Sequence, residues 1–239
     1  MIACLVLLVV GFAVSIVFIV DKVRHYSLRS IIIKTVAGLF FVALAITAVC
    51  LNESDDLTYE LLILFGLFFG LLGDIFLGFK YISKRKKLFI ALGLFSFACG
   101  HVLYSAALYT RYYIAGDWLS AALPVSIAVS AAFLYVLYSK KFGLEFGKLK
   151  PAVFFYVSVL LLMASCPLFL MVINTREPVA LLMFVPAGIC FAISDFMLSG
   201  SYFSKHEKSK AYQATYSVFY YIAQFIIAFS LLYLPITLL

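Results

Sequence analysis

Charged side chains are scarce in this sequence. Asp, Glu, Lys and Arg make up 12% of the 239 residues, whereas 66% are hydrophobic. A water-soluble fold of this composition would have too few polar residues to cover its surface. The scarcity therefore excludes a soluble protein and favours a fold whose solvent is lipid.

Familiar catalytic and ligand-binding motifs are also missing. The five cysteines are scattered, with no C-x-x-C pair and no metal-ligand spacing, which argues against a disulfide framework or a zinc site. There is no nucleophile elbow, HExxH motif, P-loop or nucleotide-binding glycine pattern. We expect no cofactor and no metal, which leaves acid/base or transport chemistry.

Long apolar runs fill most of the chain. A bilayer core takes about 20 apolar residues per helix, so the sequence predicts an all-α polytopic membrane protein. The connections are short, about 5 to 13 residues, so residues 1–239 are predicted to form a single transmembrane domain, and the first run is read as a retained helix. The eight predicted spans are 1–20, 31–51, 61–79, 88–109, 118–138, 152–173, 179–200 and 214–236.

Basic residues alternate between the connections. Sixteen of the eighteen lie in or beside connections one, three, five and seven, whereas the others hold only two basic residues, Arg111 and Arg176, together with the acidic run Glu53, Asp55, Asp56 and Glu60. The positive-inside rule then predicts a multi-pass protein of the cell membrane with both termini outside the cytoplasm. This alternation also explains the net charge of +7 without a nucleic-acid partner.

An internal repeat relates spans three and seven. Residues 74–84 and 195–205 both read D-x-x-L-x-x-x-Y-x-S-K, at one offset of 121 residues. Because the two spans run in the same direction, we predict a parallel 4+4 repeat with halves of about 1–115 and 116–239.

The repeat contains two intramembrane aspartates, Asp74 and Asp195. An aspartate facing lipid costs roughly 2.5–3.5 kcal/mol, so both are expected to face the bundle interior. Tyr81 and Tyr202 resemble interfacial belt residues, which places each carboxylate about 10 Å inside the cytoplasmic interface. Two carboxylates in one cavity shift each other's pKa and provide an acid beside a base. Such a pair suits hydrolysis, and it equally suits proton-coupled transport.

Other polar side chains accompany the aspartates. His101 and Tyr104 lie one turn apart on span four, and Tyr221 and Gln224 lie on span eight. They are candidates for binding a polar group, although interhelical hydrogen bonding is the plainer explanation. Lys34 at the start of span two is either a snorkelling residue or a phosphate ligand.

An ordered set of short motifs resembles the lysoplasmalogenase (YhhN-like) family. The set comprises Gly73-Asp74-Ile-Phe-Leu77, then Phe89, Gly93, Phe97, His101 and Tyr104 at regular spacing, Pro151 and Tyr156 with Met163, Pro186-x-Gly188 before Ser194-Asp195, and Tyr221-x-x-Gln224. The resemblance covers nearly the whole chain.

The resemblance implies an eight-helix enzyme that hydrolyses the vinyl-ether bond of lysoplasmalogens. Asp74 and Asp195 would then be catalytic, one as the acid and the other as stabiliser and base. His101, Tyr104, Gln224, Tyr221, Tyr156 and Lys34 would bind a lysophospholipid substrate from the bilayer. Two rivals stay open: a proton-coupled transporter of small molecules or lipids, for which Pro186 and Gly188 are expected to interrupt span seven, and a structural or lipid-sensing protein.

Overall fold

The computed structural model describes residues 1–52, 54, 56–173, 178–206 and 208–234. Glu53, Asp55, Arg176 and the last two residues of the predicted eighth span, 235–236, lie outside the described residues. The described part consists of long α-helices joined by turns and three short 3-10 helices, which confirms the all-α prediction. The long helices are α1 Ile2–Arg24, α2 Leu28–Leu51, α3 Leu57–Phe79, α4 Lys86–Tyr112, α5 Leu119–Leu137, α6 Lys150–Ile173, α7 Pro178–Phe203 and α8 Lys210–Ser230.

All eight long helices qualify as membrane spans by length and apolar composition, in agreement with the predicted number. Large apolar side chains are exposed along the outside of the bundle, as in Phe65 and Phe133, which are 55% and 57% exposed. Such side chains suit contact with lipid tails. The side of the membrane on which the termini lie stays a prediction.

Six of the seven pairs of consecutive helices pack closely on each other, all but α4 and α5 among the described residues, and three further contacts, α4–α6, α1–α8 and α2–α8, complete the bundle. The contacts α1–α2, α2–α3 and α3–α4 recur as α5–α6, α6–α7 and α7–α8. This arrangement agrees with the proposed parallel repeat, which stays a prediction.

Glycines allow the aspartate-bearing helices to approach their neighbours closely. A Cβ atom on Gly100 of α4 would lie 3.0 Å from the carbonyl oxygen of Gly66 on α3. A Cβ atom on Gly188 of α7 would lie 2.7 Å from the Cα of Ala164 on α6. Close backbone approach through small residues is the usual packing mode of membrane helices. It brings α3 and α7 into the interior of the bundle.

Pro186 lies inside α7, and the helix continues through it. The predicted interruption of span seven is therefore wrong. Membrane helices tolerate proline because neighbouring groups and small local adjustments compensate for the lost hydrogen bond. Pro124 and Pro167 are likewise inside α5 and α6.

Candidate active site

Two adjoining cavities open into the half of the bundle where α3 and α7 end. A polar cavity lies between α1, α2, α3, α7 and α8. An apolar cavity lies mainly between α4, α6 and α7. Both cavities are lined by Leu77, Phe97, Asp195, Leu198 and Tyr202. These five shared residues form the junction of the two cavities.

Asp74 lies in the wall of the polar cavity and is 1% exposed. Its Oδ1 atom is 2.8 Å from the Nζ atom of Lys34 on α2. Lys34 is thus turned inward, with a side chain only 14% exposed, and does not snorkel. Within the described part of the chain, no group donates a hydrogen bond of normal geometry to Asp74 Oδ2, although the Tyr220 hydroxyl lies close enough to interact with the carboxylate. Asp74 therefore combines an ion pair on one oxygen with a weakly engaged acceptor on the other.

Asp195 lies at the junction and has different partners. Its Oδ2 atom accepts a short hydrogen bond from the Tyr156 hydroxyl and lies 3.7 Å from His101 Nε2. His101 is 1% exposed, and its Nε2 atom is also 3.5 Å from the Tyr156 hydroxyl. Asp195, Tyr156 and His101 therefore form one cluster, contributed by α7, α6 and α4.

The two aspartates line the same cavity, as expected from the repeat. Their electrostatic environments differ, however, because a lysine balances Asp74 whereas a tyrosine and a histidine contact Asp195. Burial and mutual repulsion of the two carboxylates were predictable from the sequence. The Lys34–Asp74 ion pair was not, since a lysine near the end of a span has the same pattern whether it snorkels or turns inward.

Tyr104 and Gln224 form a buried network behind the polar cavity. The Tyr104 hydroxyl donates to Gln224 Oε1 at 3.1 Å, and Gln224 Nε2 donates to the Tyr220 hydroxyl at 2.9 Å. Tyr220 and Tyr221 line the polar cavity. His101, Tyr104 and Gln224 are absent from the described linings of both cavities, so direct contact between these three and a substrate stays a prediction.

Lys22 is a polar-cavity residue that sequence reasoning missed. Its side chain leaves the last turn of α1, is 9% exposed and lies 4.0 Å from the centroid of the Tyr216 ring. The Nζ atom donates to the Tyr216 hydroxyl and to Ser217 Oγ, both at 2.8 Å, and to the Gln213 carbonyl at 3.5 Å. In the sequence it appeared as one interfacial cation among many. The hydroxyl-bearing residues Tyr216 and Ser217 on α8 were the sequence feature that could have indicated a partner for Lys22.

Tyr26, Tyr81 and Tyr202 line the polar cavity, and a third lysine contacts one of them. The ring centroids of Tyr26 and Tyr81 are 4.0 Å apart with the rings tilted by 30°, and Lys80 Nζ lies 3.1 Å from the centroid of the Tyr202 ring. Burial, and secondarily the charges of Lys34 and Lys86, lowers the pKa of Lys80 to about 7. Tyr81 and Tyr202, which were expected to be interfacial belt residues, both help to line this cavity.

Comparison with known proteins identifies one relationship. The model of the YhhN family matches residues 29–231. No curated protein and no solved structure matches the chain. The matched region includes Lys34, Asp74, Asp195 and the cluster around Asp195, whereas Lys22 precedes it.

Proposed function

The chain belongs to the YhhN family, which includes lysoplasmalogenases, and we propose that it is a membrane hydrolase of lysoplasmalogens. It would cleave the vinyl-ether bond and release a fatty aldehyde together with glycerophosphoethanolamine or glycerophosphocholine. The position of Asp195 supports this proposal best, because one carboxylate lies where a polar cavity meets an apolar one. The labile bond of a lysoplasmalogen likewise joins a polar glycerophosphate to a hydrocarbon chain.

The reaction needs an acid, a carboxylate and water. Protonation of the β-carbon of the vinyl ether gives an oxocarbenium ion, which water attacks at the carbon bonded to oxygen. The resulting hemiacetal loses its glycerol oxygen as an alcohol, and the aldehyde is released. One water molecule is consumed, and the acid regains its proton from that water. A preorganised carboxylate stabilises the cationic intermediate.

The contacts of the two aspartates favour a division of roles. The ammonium group of Lys34 stabilises the ionised form of Asp74, and Asp74 Oδ2, which accepts no hydrogen bond of normal geometry from the described residues, would face the oxocarbenium ion or the attacking water. Among the described residues, no lysine or arginine pairs with Asp195, and it lies where the two cavities meet, so we assign it as the general acid. The Tyr156 hydroxyl holds Asp195 Oδ2, which leaves Oδ1 to carry the proton.

The remaining predicted residues surround these two. Tyr156 lines the apolar cavity beside Asp195, whereas Lys34 and Tyr221 line the polar one. We propose that these three contact the substrate. His101, which is outside the described cavity linings, would orient Asp195 and Tyr156. Tyr104 and Gln224 would hold the Tyr220 hydroxyl in place in the wall of the polar cavity.

An aldehyde-release assay on purified protein tests this proposal. The wild-type protein is expected to release aldehyde from a lysoplasmalogen, and both Asp74→Asn and Asp195→Asn should abolish release while the protein still folds. Asp117→Asn, a change in the connection between α4 and α5, serves as the control. Full activity in both site variants would contradict the acid/base roles. Wild-type protein that releases no aldehyde would contradict the hydrolase, and uptake of labelled lysolipid into proteoliposomes would then test the transporter.

A further inference from the structure

The charged residues that line the polar cavity are Lys22, Lys34, Asp74 and Asp195. Lys34 already pairs with Asp74. Asp195 accepts a hydrogen bond from the Tyr156 hydroxyl. Among the described residues, no carboxylate lies within ion-pair distance of Lys22, and its three acceptors are two hydroxyl groups and a carbonyl.

A buried ammonium group without a counter-charge is costly, and an anionic ligand would reduce that cost. The surroundings of Lys22 suit a tetrahedral oxyanion. The hydroxyl oxygen of Tyr216 accepts from Lys22, and its proton is directed at the Tyr81 hydroxyl, so an oxyanion in the cavity would replace Tyr81 as the acceptor. Several charge-assisted and hydroxyl donors on one side of a cavity are the usual way in which proteins hold a phosphate group.

The adjoining apolar cavity indicates what else the ligand carries. Asp195 is the one charged residue in its described lining, and the other residues are mainly aliphatic and aromatic. A charged head group would lose its hydration there without compensation, whereas a hydrocarbon chain would not. The two cavities together therefore select an amphiphile with its anionic group near Lys22 and its chain beyond Asp195.

We propose that Lys22, with Tyr216 and Ser217, binds the phosphodiester of a single-chain glycerophospholipid whose hydrocarbon chain occupies the apolar cavity. This assignment deepens the proposed function and rests on it in one respect: the bond beside Asp195 is then the linkage between glycerol and chain. It fixes the orientation of the bound substrate, with the phosphodiester in the polar cavity and the hydrocarbon chain in the apolar cavity. It also gives α1, which precedes the matched family region, a direct part in substrate binding.

Binding of a lipid that cannot be cleaved tests the assignment separately from catalysis. The probe is a saturated alkyl-ether lysophosphoethanolamine, compared with an alkylglycerol that lacks the phosphate and with glycerophosphoethanolamine that lacks the chain. We expect Lys22→Met to weaken binding of the alkyl-ether lysolipid about ten-fold or more. Binding of the alkylglycerol should be nearly unchanged. Lys205→Met, which removes an exposed lysine paired with Glu145 at the same end of the bundle, is the matched control.

Three results would overturn the assignment. The first is unchanged lysolipid binding in Lys22→Met, and the second is an equal loss of lysolipid and alkylglycerol binding. The third is glycerophosphoethanolamine that binds as tightly as the lysolipid, because the apolar cavity would then contribute nothing to binding.

If Lys22→Met does not fold, Lys22→Arg and Ser217→Ala take its place. Lysolipid binding should be retained in Lys22→Arg and partly lost in Ser217→Ala. Because the probe is not a substrate, a protein that binds it through Lys22 but releases no aldehyde contradicts only the proposed hydrolysis.

Discussion

Lys34 Nζ lies 2.8 Å from Asp74 Oδ1, and this ion pair joins α2 to α3 inside the bundle. The two side chains are 14% and 2% exposed, so little water screens the interaction. The pair fixes one carboxylate in the wall of the polar cavity. It also explains how a lysine six residues after the start of α2 is accommodated away from the interface.

Removal of Lys34 should destabilise the protein strongly. Lys34→Met leaves Asp74 buried without a cation, and breaking a buried ion pair in this way costs about 3–5 kcal/mol. Unfolding in detergent measures the loss. Arg29→Met is the control, because Arg29 pairs with Asp21 at the surface and is expected to leave stability almost unchanged. Equal losses of stability in the two variants would contradict the expected contribution of the buried ion pair.

The Tyr156 hydroxyl should matter for turnover more than for binding. Tyr156→Phe removes the donor that holds Asp195 Oδ2, so the acid is misplaced and kcat is expected to fall about ten-fold or more. KM and binding of the alkyl-ether lysolipid should change little. Tyr109→Phe removes a hydroxyl group that contacts the Ser120 carbonyl elsewhere in the bundle and is the matched control. A raised KM with unchanged kcat would show that Tyr156 contributes to binding instead.

Adding a methyl group at Gly188 should destabilise the protein. In Gly188→Ala the new Cβ would lie 2.7 Å from the Cα of Ala164, and that backbone atom cannot move aside independently of α6. Overpacking of this kind costs about 1–3 kcal/mol, measurable by unfolding in detergent. Gly78→Ala is the comparison, since its Cβ would meet side-chain atoms of Ile31 and Tyr26 at 3.1 Å or more. A larger loss in Gly78→Ala would contradict the proposed α6–α7 contact.

Much of the fold followed from the sequence, because lipid imposes simple constraints. The eight apolar runs became eight helices, and the two aspartates turned inward, since a carboxylate facing lipid is costly. The expected break at Pro186 was wrong, because the periodicity of a sequence does not show whether neighbouring helices support a proline. Nor does it show which way a flexible side chain turns, so Lys34 stayed open between a snorkelling residue and a phosphate ligand, and Lys22 was not singled out.

Lysolipid binding should weaken as the pH rises through about 7. Burial, followed by the charges of Lys34 and Lys86, lowers the pKa of Lys80 to that value. Below pH 7 the Lys80 ammonium group is present beside Tyr81 and Tyr202 and attracts a phosphodiester; above pH 7 binding must first take up a proton. Titrations of the alkyl-ether lysolipid at several pH values measure this change. Lys80→Met should bind more weakly below pH 7 and lose the dependence near neutrality; a wild-type affinity that is constant across this range would contradict the expectation.

The mass of the aldehyde formed in D₂O tests the central claim most directly. If a carboxylic acid protonates the β-carbon of the vinyl ether, the aldehyde, trapped at once by reduction, carries one deuterium on the carbon next to the carbonyl carbon. When the water also contains ¹⁸O, the glycerophosphoethanolamine should contain no ¹⁸O, because water adds to the chain carbon. An aldehyde without deuterium, or ¹⁸O in the glycerol product, would contradict vinyl-ether protonation by Asp195.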